Sequence, residues 1–173
     1  MPDFFGKDDL LPPNPMPPSE WRKGDFRVTT ARERLDVAAI HHFLSRESGW
    51  AKDISLSVVE ESIRNSLCFG LFHHGKQAGF ARVISDCATI AYLGDVFVLR
   101  EYRGHGLARW LMECVVSHPR LKNLRRWILV TEDAHELYRK LGFSGLAAPE
   151  KFMELHNPDI YRHRASAERG SKR

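Results

Sequence analysis

Apolar residues along this chain change their period several times, and each change marks an element. Phe26-Arg27-Val28-Thr29 alternates as a short strand. After Asp36, Val37, Ile40 and Leu44 recur at helical spacing and predict a first helix. Ser57-Val58-Val59-Glu60 has capping-box form, in which hydroxyl and carboxylate satisfy free backbone donors, so a second helix is predicted from there to about Ser66. Leu67 to Phe72 is a continuous apolar run, His73-His74-Gly75-Lys76 a turn and Gln77 to Ser85 a second strand, together a hairpin. Asp86-Cys87-Ala88 turns the chain again into a strand from Thr89 to Val98. Antiparallel strands thus precede the first glycine-rich segment, whereas a dinucleotide-binding domain begins with parallel strands and crossover helices.

Beyond that segment Leu107, Trp110, Leu111, Cys114 and Val115 lie on one helical face, and the helix is predicted to end near His118-Pro119. Trp127 to Val130 reads as a strand. Asp133-Ala134-His135-Glu136 resembles a second capping box, opening a helix with Ala134, Leu137, Tyr138 and Leu141 on one side and Gly142 at its end. Phe152-Met153-Glu154-Leu155 alternates weakly and is expected to be a last strand. Six prolines fall within residues 1–25, which are therefore read as an arm, and residues 161–173 as a basic flexible tail. One folded domain is expected between them, over residues 26–160.

Composition narrows the function classes without choosing one. A 173-residue chain with 43% hydrophobic residues has material for one core. Its 26 Lys and Arg against 22 Asp and Glu leave a formal charge of +4, which does not indicate nucleic acid, although the tail residues Arg162, Arg164, Arg169, Lys172 and Arg173 would be the place for it. There is no apolar run long enough to span a membrane and no export-signal pattern at the first residues, so no membrane partner is expected. Cys68, Cys87 and Cys114 lack paired spacing, which suits a reducing, cytoplasmic setting. The pairs His41-His42 and His73-His74 lack metal-ligand spacing, and no metal is expected. A homodimer is compatible with the sequence.

The most informative run is Val96-Phe97-Val98-Leu99-Arg100-Glu101-Tyr102-Arg103-Gly104-His105-Gly106-Leu107-Ala108, a strand passing through glycines into a helix. Glycines allow close backbone approach, and free amides at a helix start favour an anion such as a pyrophosphate. A P-loop lacks its Gly-Lys-Ser/Thr ending here, and a dinucleotide fingerprint its third glycine, where Arg109 stands. A plain strand-to-helix turn remains the alternative.

In context, Arg103, Gly106 and Ala108 match the Arg/Gln-x-x-Gly-x-Gly/Ala motif, followed at the expected distance by Leu137-Tyr138-Arg139-Lys140-Leu141-Gly142-Phe143. From about Phe26 to Leu155 the chain resembles the GNAT N-acetyltransferase superfamily. The resemblance implies an α/β (α+β) fold with a mixed, mostly antiparallel sheet of about six to seven strands and about four helices. It implies acetyl-CoA as cosubstrate and an amine acceptor. Val96, Phe97 and Val98 would run beside the pantetheine, and the backbone of Arg103, Gly104, His105, Gly106, Leu107, Ala108 and Arg109 would hold the pyrophosphate. Tyr138 would be the general acid for the leaving thiolate. A glutamate expected in the strand is Gly94, so Asp95 is the nearest carboxylate, although alternation points it the other way unless a bulge intervenes. A water chain is the alternative base.

Asp133, where many members carry asparagine, would lie by the pantetheine or cap the last helix. Trp50, Asp86 and Tyr92 are the candidates for an acceptor pocket formed with the first two helices. The small apolar settings of Cys68 and Cys114 make them core residues rather than nucleophiles. Two functions stay open: an acetyltransferase acting on a primary amine, preferably of a small molecule, and a coenzyme A-binding module without turnover.

Overall fold

Strands with one apolar face and amphipathic helices are satisfied together when helices cover both faces of one sheet. The computed structural model describes residues 17–161, and they are arranged in this way. Strands β1 (Glu20–Lys23), β2 (Phe26–Thr29), β3 (Leu67–His73), β4 (Lys76–Ser85), β5 (Ile90–Val98) and β6 (Arg126–Leu129) form one sheet in sequence order. All neighbours are antiparallel except β5 and β6, which run parallel and are joined by a crossover through α3 (Leu107–Ser117).

One face carries α1 (Val37–His42), which continues into a π-helical turn at Phe43–Glu47, and α2 (Leu56–Arg64). Ile40, Leu44, Val59 and Ile63 pack there on Cys68, Phe80 and Phe97 of the sheet. On the other face α3 buries Leu107, Leu111, Met112 and Val115 against Phe69, Leu71, Val83 and Leu93, and Tyr138 of α4 (His135–Arg139) joins that core. Among the described residues the expected mixed sheet is thus present with six strands, flanked by four α-helices.

Several local expectations shift. Residues 20–23, placed in the proline-rich arm, form β1 and pair with β2 from Glu20↔Thr29 to Lys23↔Phe26. This edge strand has one apolar side chain, Trp21, half-buried 6.0 Å from the ring of Phe69, which is why its periodicity is silent. Residues 1–16 and 162–173 lie outside the described residues, and with them most of the arm and tail; Tyr161 packs against the first-face core.

Helix α2 starts two residues early, with Ser55 at its cap and Ser57 already inside, its hydroxyl 3.0 Å from that of Ser55, so the Ser57–Glu60 box does not form. Before α4 the Thr131 hydroxyl accepts from the Ala134 amide at 3.1 Å, and Asp133 does not cap. The last expected strand is absent: residues 152–157 find no sheet partner, and Met153 and Leu155 are fully exposed. No helix among the described residues is long and apolar enough to cross a membrane.

Candidate functional site

The glycine-rich turn leaves β5 through a 3-10 turn at Arg100–Tyr102 and enters α3 with Gly104 at φ +84° and Gly106 at φ +70°. Both conformations are left-handed, and a Cβ at either position would meet no heavy atom within 4 Å, so the turn is open on its outer side. Helix geometry leaves the amides of Leu107, Ala108 and Arg109 without intrahelical acceptors. This is a donor set suited to a pyrophosphate, and the residues present fit the phosphate end of acetyl-CoA. Arg103 closes the turn by donating from Nε to the Val98 carbonyl at 2.9 Å. Arg109 donates to Glu113 one turn along α3, and His105 is exposed. The backbone, not these side chains, shapes the cradle.

Next to the turn, β5 and β6 part company. Their parallel pairing runs from Ile90↔Arg126 to Leu93↔Leu129 and stops, while β5 continues to Val98. The β6-side edge of Asp95, Val96, Phe97 and Val98 is thus left without a strand partner among the described residues. A bulge lies at the same place: Phe80 pairs with Phe97 but Arg82 with Gly94, so β5 carries an extra residue, and Asp95 adopts φ +54°. Gly94 and Asp95 consequently face the same side of the sheet, the reversal that simple alternation disallowed.

The bulge delivers the Asp95 carboxylate to Arg82, whose Nε donates to Oδ2 at 2.6 Å, while Trp50 Nε1 donates to Oδ1 at 3.2 Å. The ion pair is largely shielded, with side-chain exposures of 16% for Arg82 and 12% for Asp95. Arg82 also donates to the Ser66 hydroxyl at 3.2 Å. Both oxygens of Asp95 are engaged, so the carboxylate is an anchor for Trp50 and Arg82 before it is anything else. A Cβ at Gly94 would sit 3.5 Å from the Tyr92 ring and 3.8 Å from Arg82, in ordinary contact, so this face has room for a side chain that the chain lacks.

Tyr138, from α4, is buried against the second-face core, its ring 5.8 Å from that of Phe143. Burial pushes its phenol above its ordinary value, and Asp133 adds to the rise. The hydroxyl is therefore held protonated, and no group among the described residues hydrogen-bonds to it.

On the acceptor side the expected residues separate. Trp50 is 57% exposed beside Asp95, and Tyr92 is exposed near Gly94. Asp86 is elsewhere: its carboxylate accepts from the Thr89 hydroxyl and from the amides of Ala88, Thr89 and Ile90, closing the β4–β5 turn. Those bonds, the Thr89 hydroxyl first, hold its carboxyl far below the usual range, and its role is turn formation rather than pocket lining. A groove of about 540 Å³ opens instead between α2 and β4, lined by Glu61, Asn65, Ser66, Arg82 and Ile84 among others. Arg82 was missed in the sequence, where the signal was a charge inside the apolar run from Ala78 to Ile84. Cys68 and Cys114 are buried and pushed up to about 12 by that burial, so neither is a nucleophile at neutral pH.

With this geometry in hand, the comparisons with known proteins agree on a class. Residues 37–143 match the model of the Acetyltransferase (GNAT) family. A candidate acetyltransferase of Gibberella zeae is 32% identical, over 71% of this chain and 81% of that protein. A solved candidate acetyltransferase of the GNAT family from Xanthomonas campestris is 51% identical, covering 79% of this chain and 96% of that one, with a TM-score of 0.77. A candidate acetyltransferase of Clostridium acetobutylicum solved with acetyl-CoA shares the fold at a TM-score of 0.56, covering 76% of this chain and 94% of that one with 15% identity. The chain belongs to the GNAT acetyltransferase family, with the fold and acyltransferase class that membership carries.

Proposed function

We propose that this protein transfers the acetyl group of acetyl-CoA to the primary amine of a small molecule by direct attack in a ternary complex. The observation that carries the reading is the parting of β5 from β6 after Leu93↔Leu129, directly beside the left-handed glycine turn. An unpartnered strand edge next to an anion cradle suits a long ligand with a pyrophosphate at one end and amide groups along its arm. Acetyl-CoA is such a molecule, and what it supplies is an activated acetyl thioester.

The chain's own residues divide the remaining work. Amides of Gly104 through Arg109 hold phosphate, and the free edge of Val96 to Val98 orients the arm and offers an amide to the developing oxyanion. Tyr138, kept protonated by burial, gives the proton that the departing thiolate needs. Asp95 and Arg82 steady Trp50 at the acceptor mouth, and with both Asp95 oxygens engaged, ordered water takes the proton of the amine. Asp133 contributes its charge near Tyr138 rather than a helix cap.

The acceptor reading rests on the other face. A groove lined by Glu61, Asn65, Arg82 and Ile84, with exposed Trp50 and Tyr92 linked to Arg82 through Asp95 and Gly94, suits an amine with an apolar body. The free cysteines suit a reducing cytoplasm. One observation favours a second reading, a coenzyme A-binding module without turnover: Gly94 supplies no carboxylate and Asp95 is already paired. Calorimetric titration with acetyl-CoA, followed by thiol release with a panel of amines, separates the two. Micromolar binding with amine-dependent thiol release is expected. Binding without release from any amine would favour the module, and no binding would overturn both.

A further inference from the structure

Two hairpin tips meet at one end of the sheet. The β1–β2 turn carries Asp25, and the β3–β4 turn carries His74 and Gly75, with Phe26 paired to His73 between them. His74 at φ +46° and Gly75 at φ +82° make a two-residue turn with both positions left-handed. Adjacent strand residues ordinarily point to opposite faces, but this turn brings the His74 ring to 4.2 Å from that of His73. His74 Nε2 lies 3.9 Å from Asp25 Oδ2. One ligand atom from each of Asp25, His73 and His74 falls within 4.8 Å of the others.

From this juxtaposition we propose that Asp25, His73 and His74 bind a divalent transition-metal ion of the zinc class, clamping the two hairpin tips together. Two imidazoles and a carboxylate are the donor chemistry of zinc, nickel or copper rather than magnesium. Tetrahedral zinc places its ligand atoms roughly 3.3 Å apart, so the observed spacing closes by small side-chain rotations. Asp25 and His74 are exposed and free to make them. His73 is the preorganised member: its ring stacks on Phe26 at 4.4 Å and meets the edge of Tyr102 at 5.5 Å. Three protein ligands leave a position for water, and none of the three is a residue assigned to acetyl transfer. The histidine pair lacked ligand spacing along the chain because its third partner comes from a different hairpin.

The test is calorimetric titration of the chelator-treated full chain with zinc chloride, with magnesium chloride as the contrasting ion. One site of micromolar affinity is expected for zinc and none for magnesium. His74→Asn creates an Asn-Gly turn, which favours this hairpin, so the tip folds while a ligand is lost. It and Asp25→Asn should each weaken zinc at least tenfold, whereas His156→Ala, outside the cluster, should leave it unchanged. Thermal melts should rise on adding zinc to the wild-type chain and not to His74→Asn. Absence of zinc binding in the wild-type chain, magnesium binding as tightly as zinc, or wild-type zinc affinity in either cluster variant would overturn the proposal.

Discussion

The two sides of β5 are built from different materials. Toward α3 and α4 the site is mostly backbone: left-handed glycines, helix-start amides and a strand edge freed where β6 ends. Toward α1 and α2 it is side chains: Arg82, Asp95, Trp50 and Ser66 linked across four segments. Backbone donors serve any ligand with the same phosphate and amide skeleton, while side-chain constellations change freely around one scaffold. The first side therefore suits a cosubstrate common to a family, and the second an acceptor peculiar to one protein.

The largest expected effect falls on Tyr138. Tyr138→Phe should lower kcat about a hundredfold or more while leaving acetyl-CoA affinity unchanged, measured by steady-state thiol release and calorimetry. Because burial and Asp133 raise the phenol, wild-type kcat should show no alkaline fall from this group until pH exceeds about 10. An unchanged kcat in the variant would remove Tyr138 as the acid.

Gly106→Val tests the backbone side. At φ +70° a β-branched residue costs about 1–2 kcal/mol of strain and displaces the helix-start amides, so acetyl-CoA affinity should fall about a hundredfold. Acceptor KM, measured at saturating acetyl-CoA, should barely move.

Asp95→Asn tests the side-chain side and should do the reverse. Leaving a largely shielded Arg82 without its counter-charge should destabilise the fold by about 2–3 kcal/mol in urea unfolding. It should raise acceptor KM about tenfold with acetyl-CoA affinity intact. Equal losses for both ligands would mean that the two sides are one unit.

The smallest expected effect separates the faces by pH. His118, at the end of α3, is buried with its Nδ1 accepting from the Arg120 amide at 3.3 Å. Burial, and then Arg120, lowers its affinity for a proton. The unfolded imidazole therefore protonates first, and stability present above about pH 6.5 is lost as pH falls through the folded-state value. Trp21 lies 6.2 Å from His118 and Trp50 touches Asp95, so single-tryptophan variants should report acid loosening at Trp21 before Trp50. His118→Gln should flatten that pH dependence.

Much of the α3 side was legible in the sequence because it depends on local conformation. The Gly104 and Gly106 turn, the face of α3 and the stop at Gly142 follow from short-range preferences that one segment displays by itself. β1 was hidden because an edge strand with only Trp21 to bury has no period to show. The Ser57 box and the Asp133 cap were equally plausible locally, but packing set the helix starts two residues away and at Ala134. Arg82 was visible only as a charge in an apolar strand, with nothing in the sequence to name Asp95 as its partner.

Spacing along one dimension was enough for the family, for the elements from β2 to α4 and for the glycine turn. It took the assembled fold to turn Asp95 toward Arg82 through a bulge, to release β5 from β6 after Leu93 and to stand Asp25 beside His73 and His74. The three share one cause: register, bulges and hairpin contacts arise from pairing between distant segments, whose energetics no single segment contains.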